Sequence, residues 1–97
     1  MITAEPAVLL IDGDINHALL AKRALESEGL SVIFAHSGQE ALVLIALEKI
    51  ASVVINDAFL PDMHVLDLID EIAANCNHRI PIIMNVAFPS GGVESLN

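Results

Sequence analysis

With 97 residues, 55% of them hydrophobic, the chain has room for one domain with one core, expected to span residues 1–97, and not for two. Thirteen acidic side chains against four basic ones give a formal net charge of -9, a field that repels nucleic-acid backbones and anionic lipid, and the longest apolar run is far short of a membrane span. A single cysteine, Cys76, excludes an internal disulfide, no Cys/His cluster has zinc-site spacing, and a reducing cytoplasm fits this composition.

In chain order, residues 7–11 are a continuous apolar run ended by Asp12-Gly13-Asp14, which predicts a buried strand, a turn and a helix over residues 14–28. Gly29 supplies the helix stop, and residues 31–35 (Ser-Val-Ile-Phe-Ala) are β-branched enough to form the next strand. Ser37-Gly38-Gln39-Glu40 opens a second helix that reaches Lys49 or Ile50. Residues 51–55 form a third strand, which delivers Asn56 and Asp57 at its C-terminal end, with Pro61 in the loop that follows. A third helix covers residues 65–74, and residues 80–84 make a fourth strand that ends at Asn85 and Val86. Pro89-Ser90-Gly91-Gly92 reads as loop.

Strand and helix alternate with short connections, so the class is α/β: right-handed crossovers place helices on both faces of a parallel sheet. In such sheets the functional crevice lies beyond the C-terminal strand ends, where Asp12, Asp14 and Asp57 fall. Asp12 and Asp57 converge if their strands are neighbours, and like charges held close need a metal or a proton. The plainer alternative is that Asp12 or Asp14 caps the first helix and Asp57 only the third-strand loop.

Val-Leu-Leu-Ile-Asp at positions 8–12, Val-Val-Ile-Asn-Asp-Ala-Phe-Leu-Pro-Asp-Met at 53–63 and Ile-Pro-Ile-Ile-Met at 80–84 resemble, in order and spacing, the receiver (CheY-like) domains of two-component response regulators. Ser37-Gly38-Gln39-Glu40-Ala41-Leu42 looks like that family's second-helix opening. The resemblance implies a flavodoxin-like sheet of order 2-1-3-4, with the family's fifth strand and fifth helix missing. It implies a phosphoacceptor at Asp57, whose partners would be a histidine kinase or a phosphotransfer protein. It further implies Mg²⁺ held by Asp12, Asp57 and the backbone carbonyl of Phe59. Asp14 lies one residue beyond the family's second acid and completes an acidic pocket with Asp12 only if the turn brings it within reach.

Against that pattern several positions are degenerate. Gly13 stands where the second metal-binding acid should be, and Val86 where the family has a Thr or Ser hydroxyl. No Lys or Arg follows Arg79, so the phosphate-pairing lysine is missing. His64-Val65 replaces the usual Asp-Gly, and a β-branched Val tolerates positive φ poorly, so a different loop path is expected. The Mg²⁺ site is accordingly expected to be weak or absent. His64 itself is read as an exposed or helix-capping residue, not as a metal ligand, and His17, His36 and His78 are given no role.

Asn56 and Asn85 each precede the active-site position of their strand and point to the opposite face, so their amides are expected to hydrogen-bond each other under a helix. A fourth strand at an open edge, a first-helix stripe of His17, Leu20, Ala21 and Ala24, and the nearly all-apolar run 41–47 all point to association, as a homo-oligomer or with a protein partner. The expected function is a pseudo-receiver in phosphorelay signal transduction, acting by protein contact with impaired phosphorylation at Asp57, and not an enzyme. The alternative is a working aspartyl-phosphate acceptor that uses Asp12, Asp14 and Mg²⁺. A minor alternative is a haloacid-dehalogenase-like phosphatase, whose Asp-x-Asp motif Asp12-Gly13-Asp14 resembles, with Asp12 as nucleophile.

Overall fold

The structure, a computed structural model, describes residues 6–75 and 79–85. The element order is β1 (Ala7–Ile11), α1 (Ile15–Ser27), β2 (Val32–Ala35), α2 (Gly38–Leu47), β3 (Ile50–Ile55), α3 (Val65–Asn75) and β4 (Ile82–Met84). The strands form one parallel sheet in the order β2-β1-β3-β4, the expected flavodoxin-like arrangement.

Local chemistry accounts for most of the boundaries. Asp14 lies just before α1 and accepts hydrogen bonds from the Asn16 and His17 amides, satisfying two donors that have no partner within the helix. The helix stops because Gly29 takes φ +86, a left-handed turn that lets its N–H reach the Glu26 carbonyl and the Leu30 N–H the Leu25 carbonyl. Ser37 caps α2 through the Glu40 N–H, while the Glu40 carboxylate reaches back to accept from the His36 N–H.

Two boundaries differ from the sequence reading by two residues or more, the others by one at most. The second helix ends at Leu47 and not at Lys49 or Ile50, because Ile50 pairs with Ala7 at the start of β3 and the Lys49 carbonyl accepts the Ala7 N–H. Sheet pairing thereby overrides helical periodicity. The fourth strand starts at Ile82 instead of residue 80, although the Pro81 carbonyl already accepts the Val53 N–H.

Register fixes which side chains share a face. Leu9, Val53 and Ile82 lie side by side, as do Ile11, Ile55 and Met84. These rows belong to the core with Ala41 of α2 and Val65, Leu68 and Ile72 of α3. The alternate rows, Leu10 with Val54 and Ile83, turn to the other face, where α1 packs over β1 and β2. Leu10 is wholly buried there, whereas Ile83 is 56% exposed. Among the described residues β4 pairs only with β3, so the sheet presents an edge on that side.

Candidate functional site

The ends of the four strands remain tied together past their last paired residues. The Asp12 N–H donates to the Ala35 carbonyl, Asn56 to Ile11, and Asn85 to Ile55, at 2.8 to 3.1 Å. This continuation of the sheet holds Asp12 and Asp57 at the ends of adjacent strands on its C-terminal edge, where the sequence analysis places them.

Asp57 is half-buried, and its Oδ1 accepts from the Phe59 N–H at 3.0 Å. Its Oδ2 faces the space above Gly13. A Cβ placed on Gly13 would lie 3.2 Å from that oxygen, 3.5 Å from the Phe59 carbonyl oxygen and 3.5 Å from Pro61 Cδ. The phosphoacceptor candidate, the predicted carbonyl ligand and the glycine therefore line one small pocket, and the position that lacks a carboxylate is the one directly against Asp57.

Asp12 is oriented differently. It is completely buried and lies on the α1 face of the sheet, and both of its oxygens have protein donors. Oδ1 accepts from the Asp14 N–H at 2.9 Å and Oδ2 from His17 Nδ1 at 2.8 Å. A carboxylate is an acceptor only, so His17 carries its hydrogen on Nδ1 in this contact. Asp14 is exposed and caps α1 through Oδ1, which is the plainer of the two roles the sequence left open. Asp12 has no exposed surface, so a substrate phosphate does not reach its oxygens in this arrangement, which speaks against a phosphatase nucleophile there.

The donor set can be compared with what a hard divalent cation needs, namely several oxygens with free lone pairs converging on one point. Asp57 and the Phe59 carbonyl meet that need in part. Gly13 offers nothing, and Asp12 is occupied by His17 and Asp14. Among the described residues no three His, Cys, Asp or Glu side chains come together as a metal cluster. The residues present do not fit the ion.

The loop after Asp57 is clamped from outside the pocket. The Asp62 carboxylate accepts from the Gly38 and Gln39 amides at the start of α2, both at 2.8 Å, and Met63 lies across Gly38 so closely that any side chain there would overlap it. The Gln39 N–H above all, assisted by the Gly38 N–H and by His36, holds the Asp62 carboxyl below its ordinary 3.8 despite the opposing effect of partial desolvation. His64 is exposed, accepts from the Leu66 N–H at 3.1 Å and meets Phe59 edge-on at 6.1 Å, in keeping with the capping role expected of it. Val65 enters α3 in its first turn and is fully buried, so no residue with positive φ is needed there. Asn85 Nδ2 donates to Asn56 Oδ1 at 3.1 Å, the bond expected between the two amides, but Asn85 is exposed and no described helix covers it. Val86, His78 and Cys76 lie outside the described residues.

Sequence reasoning missed two residues. His17 had been grouped with the apolar stripe of the first helix; the available signal was its place in the first turn after an Asp14 cap, which faces it back toward the strand end. Asp62 had been read only as part of the motif, although acceptors in one loop commonly satisfy the free amides of a neighbouring helix start.

The model for the response regulator receiver domain matches residues 8–90. The transcriptional regulatory protein CpxR of Klebsiella pneumoniae is 32% identical over 80 residues, and that of Escherichia coli K12 is 35% identical over the same length; each alignment covers 82% of this chain and 33% of the relative. The chain thus spans about a third of the length of these curated relatives. Among solved structures, the non-phosphorylated HemR receiver domain from Leptospira biflexa superposes with a TM-score of 0.77 at 27% identity, over 95% of this chain and 72% of that one.

Proposed function

The chain belongs to the response regulator receiver family, and from that membership we propose that it is a two-component signalling module in which phosphorylation at Asp57 is impaired and contact with another protein carries the function. The observation that carries the proposal is the pocket above Gly13. Asp57 Oδ2 faces it without a hydrogen-bond partner among the described residues, as a phosphoacceptor requires, while the neighbouring position supplies no carboxylate and no described cationic side chain pairs with Asp57.

In the transfer this family performs, the acceptor carboxylate oxygen attacks the phosphorus of a phosphohistidine. The P–N bond breaks as the O–P bond forms, and the imidazole leaves with a proton. Each step concentrates negative charge, which receiver domains offset with Mg²⁺ at the phosphorylation site. Here the ion pairs among the described residues are His17 with Asp12 and Lys22 with Glu26, and neither touches Asp57. Among the described residues no ion pair would offset the phosphoryl charge on Asp57, so transfer from a histidine kinase or a phosphotransfer protein is disfavoured, and any Mg²⁺ affinity is weak.

Protein contact is supported by the apolar side chains that remain on the surface. Leu20 is 68% exposed on α1, Leu47 is 73% exposed at the end of α2, and Ile83 points outward from the edge strand. A second copy or another protein would cover them.

The test is intact-mass spectrometry after incubation with Mg²⁺ and acetyl phosphate, with an ordinary receiver labelled in parallel and Asp57→Asn as control. The expected result is little or no adduct of about 80 Da under conditions that label the ordinary receiver. A stoichiometric adduct that disappears in Asp57→Asn overturns the impaired reading and makes the protein a working relay acceptor.

A further inference from the structure

The contact between His17 and Asp12 has no part in the proposal above. Asp12 is fully buried, and a buried carboxylate without donors is costly, so something must satisfy both of its oxygens. In this chain the donors come from the protein itself: the Asp14 amide to Oδ1 and the His17 ring to Oδ2. No buried side-chain nitrogen or oxygen among the described residues lacks a partner. Asp12 therefore has no unmet demand for an external cation.

We propose that His17 occupies Asp12 in place of a divalent cation, so that Mg²⁺ is disfavoured at two points, by the imidazole on Asp12 and by the absence of a carboxylate at Gly13. The inference rests on reading the Asp57 pocket as that of a receiver, but it assigns a role to a residue outside that pocket. Three observations meet in it. The 2.8 Å contact lies at the short end of N–H···O distances, as expected for a charge-assisted bond. The ring is held from its own backbone as well, because the His17 N–H donates to the Asp14 cap, which fixes the residue in the first turn of α1. The His17 side chain is 56% exposed, so the ring can be displaced or removed without opening a cavity in the core.

The role is one of positioning and exclusion. His17 keeps Asp12 turned toward α1, and a metal ion must compete with the imidazole to reorient and recruit the carboxylate. A hydrogen bond to a charged group of this kind is strong enough to lower affinity for a competing ligand by about tenfold or more. The amide nitrogen of asparagine sits at nearly the same place as histidine Nδ1 and can donate to the same oxygen, so His17→Asn should preserve the exclusion while His17→Ala abolishes it.

The experiment is a Mg²⁺ titration of the full chain by calorimetry in a Gly13→Asp background, which returns a carboxylate to the position against Asp57. Gly13→Asp/His17→Ala should bind Mg²⁺ about tenfold or more tightly than Gly13→Asp, and Gly13→Asp/His17→Asn should stay close to Gly13→Asp. Equal affinities in the Ala and single variants, or no binding in any of the three, overturn the proposal. Should Gly13→Asp not fold, ¹⁵N NMR of the wild-type His17 ring decides the matter: Nδ1 must carry a hydrogen, and its signal must not move at Mg²⁺ concentrations that saturate an ordinary receiver. A ring that Mg²⁺ displaces from Asp12 refutes the proposal. These readouts follow the ion and the imidazole, not the phosphoryl group. Labelling of Asp57 by acetyl phosphate with an unmoved His17 would sink the impaired-transfer reading alone, and equal metal affinities would sink this one alone.

Discussion

On one face of the sheet, Leu9, Ile11, Val53 and Ile55 have no exposed surface, and α2 and α3 close over them with Ala41, Val65 and Leu68, which are equally dry. On the other, α1 buries only Ala18 of its own length, and the outer rows run from a buried Leu10 through a half-buried Val54 to an exposed Ile83. The first face is a finished interior. The second is a surface whose apolar content exceeds what its one described helix can shield. The side chains that hold the fold together are thus concentrated on one side of the four strands, whereas exposed apolar side chains occur on both, Leu47 at the end of α2 as well as Leu20 and Ile83. The acidic site sits between the two faces: Asp57 above Gly13 beside the β3–α3 loop, Asp12 turned away toward α1.

The division can be broken most forcefully at Leu68. Its truncation to alanine removes methyl groups from the dry face and should cost about 2–5 kcal/mol, read as a shift in the urea midpoint. The protein has no Trp or Tyr, so far-UV circular dichroism is the suitable probe. A loss under about 1 kcal/mol would mean that the α3 contact is loose and that the two faces do not differ as described.

A smaller effect is expected at the clamp that joins the site loop to α2. The Asp62 carboxyl titrates below its ordinary 3.8 in the folded protein because amides bind its charged form. The folded state then binds fewer protons than the unfolded one across that window. The stabilisation is fully present above the unfolded value and is lost as pH falls through the lower, folded one. Asp62→Asn should lower the thermal midpoint by roughly a few degrees near neutral pH, and its midpoint should fall less steeply than wild type as the solution is acidified below about pH 4. The group is largely exposed and salt screens it, so high ionic strength should shrink the difference. Parallel acid profiles for the two proteins would show that the clamp contributes nothing.

The smallest effect belongs to the open face. Leu20→Ser and Ile83→Ser should each leave monomer stability within about 0.5 kcal/mol of wild type in dilute solution. A loss approaching that of Leu68→Ala, or one that grows with protein concentration, would show that a second copy already covers these residues and that the second face is closed after all.

The architecture was legible because its signals are local or nearly so. Apolar runs ended by acids announced β1 and β3, Gly29 marked the end of α1, and Ser37 with Glu40 announced α2. What escaped were decisions made across the sheet. Ile50 has the apolar character of a last helical turn, and only its pairing with Ala7 makes it a strand residue. The same applies to the site. The positions of Asp12, Gly13, Asp57 and Phe59 follow from strand order, which the alternation of elements supplies. The partner of Asp12 depends on how tightly the chain turns between β1 and α1, and no periodicity encodes that path. Asp62 illustrates the point at longer range, since its amide donors lie on a helix that precedes it in the chain by more than one element.

The central position of β1 has a further consequence, in the order of events by which the chain folds. Ala-Val-Leu-Leu-Ile is the most buried of the described strands and precedes the others in chain order, yet it needs β2 on one side and β3 on the other, and β3 begins only at Ile50. A parallel partner so far along the sequence must be brought in at the cost of closing a long loop, which slows the search. During translation, β1 and β2 emerge as an incomplete sheet with one apolar edge unpaired, the state most prone to capture by another nascent chain. The strand that anchors the finished sheet is therefore also one whose second edge stays unpaired until a distant segment arrives.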